Sequence, residues 1–551
     1  MSVSSASATQ ATFCATIVDE WVRSGLTDVV ICPGSRSTPL ALALSSRQEV
    51  TCFVRVDERS AAFFALGRAL ATARPVVILV TSGTAATELH AAVAEADLAR
   101  VSLIVVTADR PPELRDVGAA QTITQVQLFS SMVRAFVEPG VARDEARGSW
   151  RPMASRVWRV ASGLDDVPRG PVHLNVAFIE PLVATPGELP PGRDDGATWT
   201  YAPVVPSPRS AIDIAGKRVL CVVGAGVSAA MIIELWSLDW AVIGDATSQH
   251  TLPYVDPLLR DDEVAERLRP DVVVRLGGVP ASKVLAQRLR EWDAHVVGFT
   301  GAGFLADPDG LVRDRLPGLP DGRATHLRGD AAFVQGWAQC SRQVGEHLAA
   351  MDAGSWSEVS VARACVDAAA ASEAALVVGS SMPVRDVEWW SPSRVTPTFA
   401  NRGANGIDGV LSTALGVATH QAAVALVGDI TFLHDVSALV DGVDEDTRAV
   451  VVVADNHGGG IFNFLPQATA LETEHFEKLF ATPRPHDLVA VAAAFGHHAQ
   501  RVSELNELRD ALRAGLERPG ISVIVAALPP REANVVTHSE LNAAVAGWLT
   551  W

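Results

Sequence analysis

The sequence predicts an α/β protein of three doubly wound parallel-sheet domains. Short runs of Val, Ile, Leu and Ala alternate with longer helical patterns along the chain, as expected of strands covered on both faces by helices. Most of these runs end in Gly, Ser, Asp or Asn, so polar groups collect at one edge of each sheet. The length, 551 residues, allows roughly three domains of about 150 residues each.

Residues 1–185 make the first expected domain. Asp28–Cys32 is a buried strand ending at Pro33-Gly34-Ser35-Arg36-Ser37, and a helix follows through Leu44. Thr51–Val56 is the next strand, and Glu58 opens a helix to about Leu70. Pro75–Val80 leads through Thr81-Ser82-Gly83-Thr84 into a helix to about Asp97; Val101–Thr107 and Pro171–Val176 are further strands. Ser35 and Arg36 lie where a strand meets a helix N-terminus, a natural anion site. Glu58 tips the second strand, Arg110 follows the fourth, and Gln121 lies in Gly118-Ala119-Ala120-Gln121. Taken singly, each is equally well a cap or a surface charge. Placed together at one edge of one sheet, they point to a site. Residues 186–209, rich in Pro and Gly, read as a linker.

Residues 210–350 are expected to form a central Rossmann-like domain. Lys217–Val223 runs into Gly224-Ala225-Gly226-Val227-Ser228-Ala229, with Asp245 after the next strand. This matches a dinucleotide fingerprint; a tight turn with close helix packing is the alternative. Pro270–Gly277 and Ala294–Phe299 continue the pattern. Lys283 opens a helix after a strand, as a ligand contact or as a solvated lysine.

Residues 351–551 form the third expected domain. A helix near Val359–Ala371 precedes the strand Ala375–Gly379, which ends in Ser380-Ser381-Met382-Pro383-Val384-Arg385. Arg402-Gly403-Ala404-Asn405-Gly406 has the backbone freedom to wrap phosphates with N–H donors, and a helix follows from Leu411 to Ala418. Leu426–Ile430 and Val450–Asp455 are strands joined by a helix over Thr431–Val440. Gln467–Pro485 reads as a mobile cover over the site. Asp487–Phe495 is a helix and Ile521–Ala526 a final strand. The tips of the paired strands carry Asp429, Asn456 and Gly458. A carboxylate, an amide oxygen and a backbone carbonyl, completed by water and phosphate, suit Mg²⁺ on a diphosphate.

The net charge of −18 argues against nucleic acid or an anionic membrane as partner. It also makes a set of pocket arginines a local exception. None of the six cysteines sits in a CxxC pair or at zinc spacing, so reduced thiols in a cytoplasmic protein are expected. No leader and no apolar run long enough to span a bilayer are read.

Gly428-Asp429 followed by Asn456, with Glu58 at the tip of the second strand, resembles the signature of thiamin-diphosphate-dependent enzymes. Longer blocks resemble one family within them, the 2-succinyl-5-enolpyruvyl-6-hydroxy-3-cyclohexene-1-carboxylate (SEPHCHC) synthases of menaquinone biosynthesis. They are Pro33–Leu40, Asp57-Glu58-Arg59, Thr81–Ala85, Ala108–Leu114, Asn401-Arg402-Gly403 with Gly406–Gly409, and Gly459-Gly460-Ile461-Phe462. One departure is visible: Ala120 stands where the family commonly has Asn.

The resemblance implies a transferase that decarboxylates 2-oxoglutarate on thiamin diphosphate and adds the succinyl carbanion equivalent to isochorismate in a 1,4 sense. Pyrimidine-binding, central and diphosphate-binding domains are implied, as is Mg²⁺ replaceable by Mn²⁺. Glu58 is implied to hydrogen-bond the aminopyrimidine. Asp429, Asn456 and Gly458 hold the metal. Ser381, Met382, Gly403, Gly428, Ile430 and Gly459 wrap the cofactor, and one of Ile461, Phe462 and Leu465 wedges beneath it. Both substrates are dicarboxylates, which arginine forks match. Arg36, Arg110, Arg385 and Arg402 are implied to serve them, with Gln121, Ser35 and Lys283 as further contacts. No histidine is nominated for catalysis. The resemblance also implies a homodimer or dimer of dimers with active sites at the subunit interface. Another thiamin-diphosphate 2-oxoacid decarboxylase or carboligase, acetolactate-synthase-like, is the alternative; the arginine set argues against pyruvate-sized substrates.

Overall fold

Buried strands with no polar face need cover on both sides, and here they form three all-parallel sheets. The structure, a computed structural model, describes residues 3–165, 167–202, 212–300, 305–318, 325–351, 355–444 and 446–550. The end of the expected linker, 203–209, lies outside the described residues, as do 210–211, 301–304 and 319–324 of the expected central domain.

The first sheet contains β1 (Asp28–Ile31), β2 (Thr51–Val54), β3 (Val76–Val80), β4 (Leu103–Asp109), β5 (Phe136–Val137) and β6 (Val172–Ala177), in the order β2-β1-β3-β4-β6-β5. The second contains β7 (Val219–Val223), β8 (Ala241–Gly244), β9 (Val272–Leu276), β10 (His295–Phe299) and β11 (Asp314–Leu316), in the order β11-β10-β9-β7-β8. The third contains β12 (Ala375–Val378), β13 (Thr398–Phe399), β14 (Ala423–Gly428), β15 (Arg448–Asp455), β16 (His498–Val502) and β17 (Gly520–Ala527), in the order β13-β12-β14-β15-β17-β16. In each sheet the order reverses near the middle, and the two six-stranded sheets reverse again at one edge, β6-β5 and β17-β16. The loops after β1 and β3, β7 and β9, and β12 and β14 therefore diverge and open a crevice at the carboxyl edge.

The chain folds as two compact units. One takes Met1–Val205 with Asn401–His420 and Asp435–Val443; the other takes Pro206–Ala400, Gln421–His434 and Asp444–Trp551. The first unit is centred on Trp21, Ile17, Val29, Val77, Leu79 and Ile104, all essentially inaccessible to solvent. Its helix Glu58–Thr72 starts on Asp57, whose side chain accepts from Ser60 N and caps the helix. This helix crosses helix Val410–Ala418 at backbone distance. A Cβ on Gly67 would run into the Thr413 carbonyl, and one on Gly416 into the Phe64 carbonyl. Only glycine permits such an approach.

The helix expected over Thr431–Val440 is instead two pieces, an α-helix Asp429–His434 and a 3₁₀ turn Val436–Leu439. The break is at Asp435, whose carboxylate accepts from Ser412 N at 2.7 Å and Ser412 Oγ at 3.1 Å. Gln467–Pro485, expected as a cover, is built of short helical turns over Gln467–Ala470, Thr473–Phe476 and Glu477–Ala481. Arg531 pairs with Glu477 and ties these turns to the rest of the unit. No described helix is long and apolar enough to cross a membrane.

Candidate active site

In the second unit the sheet register fixes the site. Gly428 at the end of β14 lies level with Ala454 of β15, so Asp429 and Asn456 leave adjacent strand ends. Asp429 is buried; Oδ2 accepts from Gly458 N and Oδ1 from Ile430 N, each at 2.7 Å. Burial drives its carboxyl up to about 6, against those two hydrogen bonds and despite His457. Asn456 donates through Nδ2 to Glu358 Oε1 at 2.7 Å, and its Oδ1 is buried with no hydrogen-bond partner. Gly458 has φ of +133°, and a Cβ there would strike the Ala481 carbonyl. Its own carbonyl accepts from Gly460 N and keeps a second lone pair.

Among the described residues, no group of three His, Cys, Asp or Glu side chains is placed to hold a metal. One carboxylate, one amide oxygen and one carbonyl form a different set, which suits a hard cation. Gly459 N donates to the Ala481 carbonyl. In the following turn, Gly460–Phe464, Phe462 meets Phe480 edge-on and Phe464 meets His538. Ile461 and Leu465 are half-buried.

Ser381 precedes helix Met382–Trp390 and makes no side-chain cap. Met382 is buried, and Arg385 turns back to donate to the Ser381 carbonyl at 2.6 Å. Lys283 is exposed on the first turn of its own helix. The dinucleotide pattern resolves into local structure. Asp245 Oδ2 accepts from Ala225 N, and Oδ1 from Thr247 N, Thr247 Oγ1 and Ser248 Oγ. Gly224 lies against Gly278 with no room for a Cβ. The acid that would grip a ribose caps its own loop.

In the first unit, Glu58 is the first residue of its helix and half-buried. Burial raises its carboxyl pKa, with Asp57 and Glu88 adding to the effect and a backbone hydrogen bond opposing it. Ser35 is exposed. Arg36 is buried; one nitrogen donates to the Phe178 carbonyl at 3.0 Å and another pairs with Glu180 at 3.1 Å. It braces the loop after β6. Arg110 has a buried Nε with no partner. Gln121 is clasped to the tip of β3: Nε2 donates to the Ser82 carbonyl, and its own carbonyl accepts from Ser82 Oγ. Arg402 is half-buried and pairs with no other described residue. Gly403 N and Ala404 N, read as phosphate donors, donate to the Glu95 carboxylate at 2.7 and 2.6 Å. A buried carboxylate holds the loop that was expected to cradle an anion.

Behind Gln121 runs a buried network. Gln125 Oε1 accepts from Gly83 N, and Gln125 Nε2 donates to the Ala108 carbonyl and Asn175 Oδ1. Thr107 gives its proton to Asn175 Oδ1, so His173 Nε2 is the donor to Thr107 Oγ1. His173 Nδ1 is then bare, buried and unpartnered, and burial pushes the ring down to about 3. The unfolded ring takes up its proton near 6.5, before the native one, so stability is lost as pH falls from that value. Unfolding free energy is expected to fall by about 2 kcal/mol between pH 7 and pH 5 from this group. Denaturant titrations at both pH values check this. An equally steep loss in a His173→Gln variant would remove the ring as the cause.

Residues 12–128 match the family described as thiamine pyrophosphate enzyme, N-terminal TPP binding domain, and residues 389–526 its C-terminal TPP binding domain. The chain is 37% identical to the 2-succinyl-5-enolpyruvyl-6-hydroxy-3-cyclohexene-1-carboxylate synthase of Myxococcus xanthus, with 97% of each chain covered. It is 35% identical to that of Lysinibacillus sphaericus, over 95% of this chain and 96% of the relative. Identity to that of Chloroflexus aurantiacus is 34%, over 95% and 94%. The chain belongs to the SEPHCHC synthase family. In this SEPHCHC synthase relative, Ser35, Arg36, Glu58, Arg110 and Gln121 fall in the first TPP-binding match. Arg402, Asp429, Asn456 and Gly458 fall in the second. Ser381, Arg385 and Lys283 lie outside both, as does Glu358. Sequence reading did not single out Glu358, which stands just before the helix expected near Val359–Ala371 and opens the observed one.

Proposed function

We infer that this chain catalyses the reaction for which its family is named. 2-Oxoglutarate is joined to isochorismate by 1,4-addition with loss of CO₂, giving SEPHCHC for menaquinone biosynthesis. Similarity along nearly the whole chain carries this reading. Thiamin diphosphate, when bound, supplies the electron sink for decarboxylation and carbon–carbon bond formation. Glu58, whose carboxyl pKa is raised by burial, hydrogen-bonds the aminopyrimidine ring nitrogen. Asp429, Asn456 Oδ1 and the Gly458 carbonyl hold Mg²⁺, with Mn²⁺ as a substitute. The unpartnered, buried Asn456 Oδ1 supports this, since such an oxygen calls for an electropositive neighbour. Ser381 and Met382, at a helix N-terminus, contact the cofactor.

Among the arginines, Arg402 and Arg110 are the better candidates for substrate carboxylates. Arg402 has no protein partner among the described residues, and Arg110 has an unpaired Nε. Arg385 and Arg36 act while also bracing backbone, and Gln121 and Ser35 line the pocket. The assay is formation of SEPHCHC and CO₂ from 2-oxoglutarate and isochorismate with thiamin diphosphate and Mg²⁺. Pyruvate in place of 2-oxoglutarate is expected to give no product, and faster turnover of pyruvate would favour the acetolactate-synthase-like alternative. An Arg402→Ala change is expected to raise the KM for 2-oxoglutarate by about 30-fold or more, the lower end of a lost buried charge pair. Thiamin diphosphate affinity should stay within about twofold. Parallel losses of both would show that Arg402 supports the fold of the site instead.

A further inference from the structure

An asparagine ligand must present its oxygen, and an amide has two ends of nearly equal shape. We propose that Glu358 is the positioning residue that sets the Asn456 amide with Oδ1 toward the metal. This inference rests on the metal site proposed above.

Only Nδ2 of the amide can donate, and it donates to Glu358 Oε1 at 2.7 Å. Both residues are buried, Asn456 5% and Glu358 7% accessible. With Nδ2 so engaged, Oδ1 is turned the other way, and it is the end left buried without a partner. Reversing the amide would set Oδ1 against Glu358 Oε1, oxygen to oxygen, and turn the NH₂ toward the cation. The second contact is repulsive, and the first is repulsive wherever Oε1 carries no proton, so Glu358 Oε1 acting as acceptor selects the productive orientation.

Glu358 is itself held firmly. It is the first residue of helix Glu358–Ala371, and Ser357 and Ser360 close a reciprocal capping box around it. Gly460 packs against the same end of the amide; a Cβ there would stand 2.7 Å from Asn456 Nδ2. Asp429 is fixed by two backbone N–H groups, so Glu358 supplies for the amide ligand what the backbone supplies for the carboxylate. Removing such outer partners costs about 10–100-fold in metal affinity.

The test is Mn²⁺ binding by the full chain in the presence of thiamin diphosphate, read from the electron paramagnetic resonance signal of free Mn²⁺. Glu358→Met, with Glu358→Ala as a second apolar variant, is expected to weaken binding about tenfold or more. Glu358→Gln keeps an acceptor oxygen and stays within about threefold of wild type. Thermal melting of the metal-free variants confirms that each is folded. The deciding comparison uses Asn456→Asp, whose two oxygens are equivalent and need no orienting. In that background Glu358→Met should cost nothing. The same tenfold loss there, or wild-type affinity in both apolar variants, would overturn the proposal. Asp429→Asn tests the site itself: unchanged Mn²⁺ affinity in that variant shows that the metal reading has failed and the positioning role with it.

Discussion

A Glu58→Gln variant, saturated with thiamin diphosphate and Mg²⁺, is expected to turn over about 10²–10⁴-fold more slowly than wild type, the range for a lost proton-transfer group. The amide keeps the size and the helix-starting position of Glu58 but can neither hold nor release the proton. Stability should change little, because Asp57, not Glu58, caps the helix. Steady-state rates and melting curves separate the two effects, and a kcat within tenfold of wild type would remove Glu58 from the chemistry. The same variant tests the dimer that the family resemblance implies. Co-expressed with an inactive Asp429→Asn chain and purified through two different tags, it forms heterodimers. If each site takes Glu58 from one subunit and Asp429 from the other, the heterodimer holds one intact and one doubly altered site. It should then recover about half the wild-type turnover per dimer. A heterodimer as inactive as its parents would assign both residues of a site to one subunit.

The largest expected effect on stability is at the crossing of helices Glu58–Thr72 and Val410–Ala418. Gly67→Ala and Gly416→Ala each place a methyl group against a carbonyl of the facing helix. Neither obstacle is a flexible side-chain end, so the helices must move apart. Overpacking typically costs about 1–3 kcal/mol, and a backbone obstacle puts these changes near the upper end, lowering the melting temperature by about 6–12 °C for a unit of this size. Differential scanning calorimetry reads the shift. Melting within about 2 °C of wild type would mean that the helices are not in backbone contact.

Most strands were legible because they are continuous apolar runs: β3 and β12 stand within a residue of their expected ends. The edge strands were not. β16, His-Ala-Gln-Arg-Val, is mixed in polarity and mostly only half-buried, and β5 has just two residues, so neither leaves a hydrophobic signature. At the site, the strand tips bearing Asp429 and Asn456 followed from sheet topology. What sequence could not supply was long-range pairing. The Gly403 loop reads as a phosphate cradle, and only the fold shows that Glu95, 308 positions away, accepts from Gly403 N. Asp245 sits at the spacing of a ribose-binding acid, and only the fold shows its oxygens spent on Ala225, Thr247 and Ser248.

The helix crossing also bears on how the protein can be divided. The segments Asn401–His420 and Asp435–Val443 belong to the same compact unit as the first 205 residues. A fragment ending at residue 185 or 205 would therefore lack the helix that Phe63, Phe64 and Gly67 are shaped to receive. It would leave that face uncovered. The N-terminal unit has no single cut point in the chain, and it is completed only after synthesis has passed residue 443.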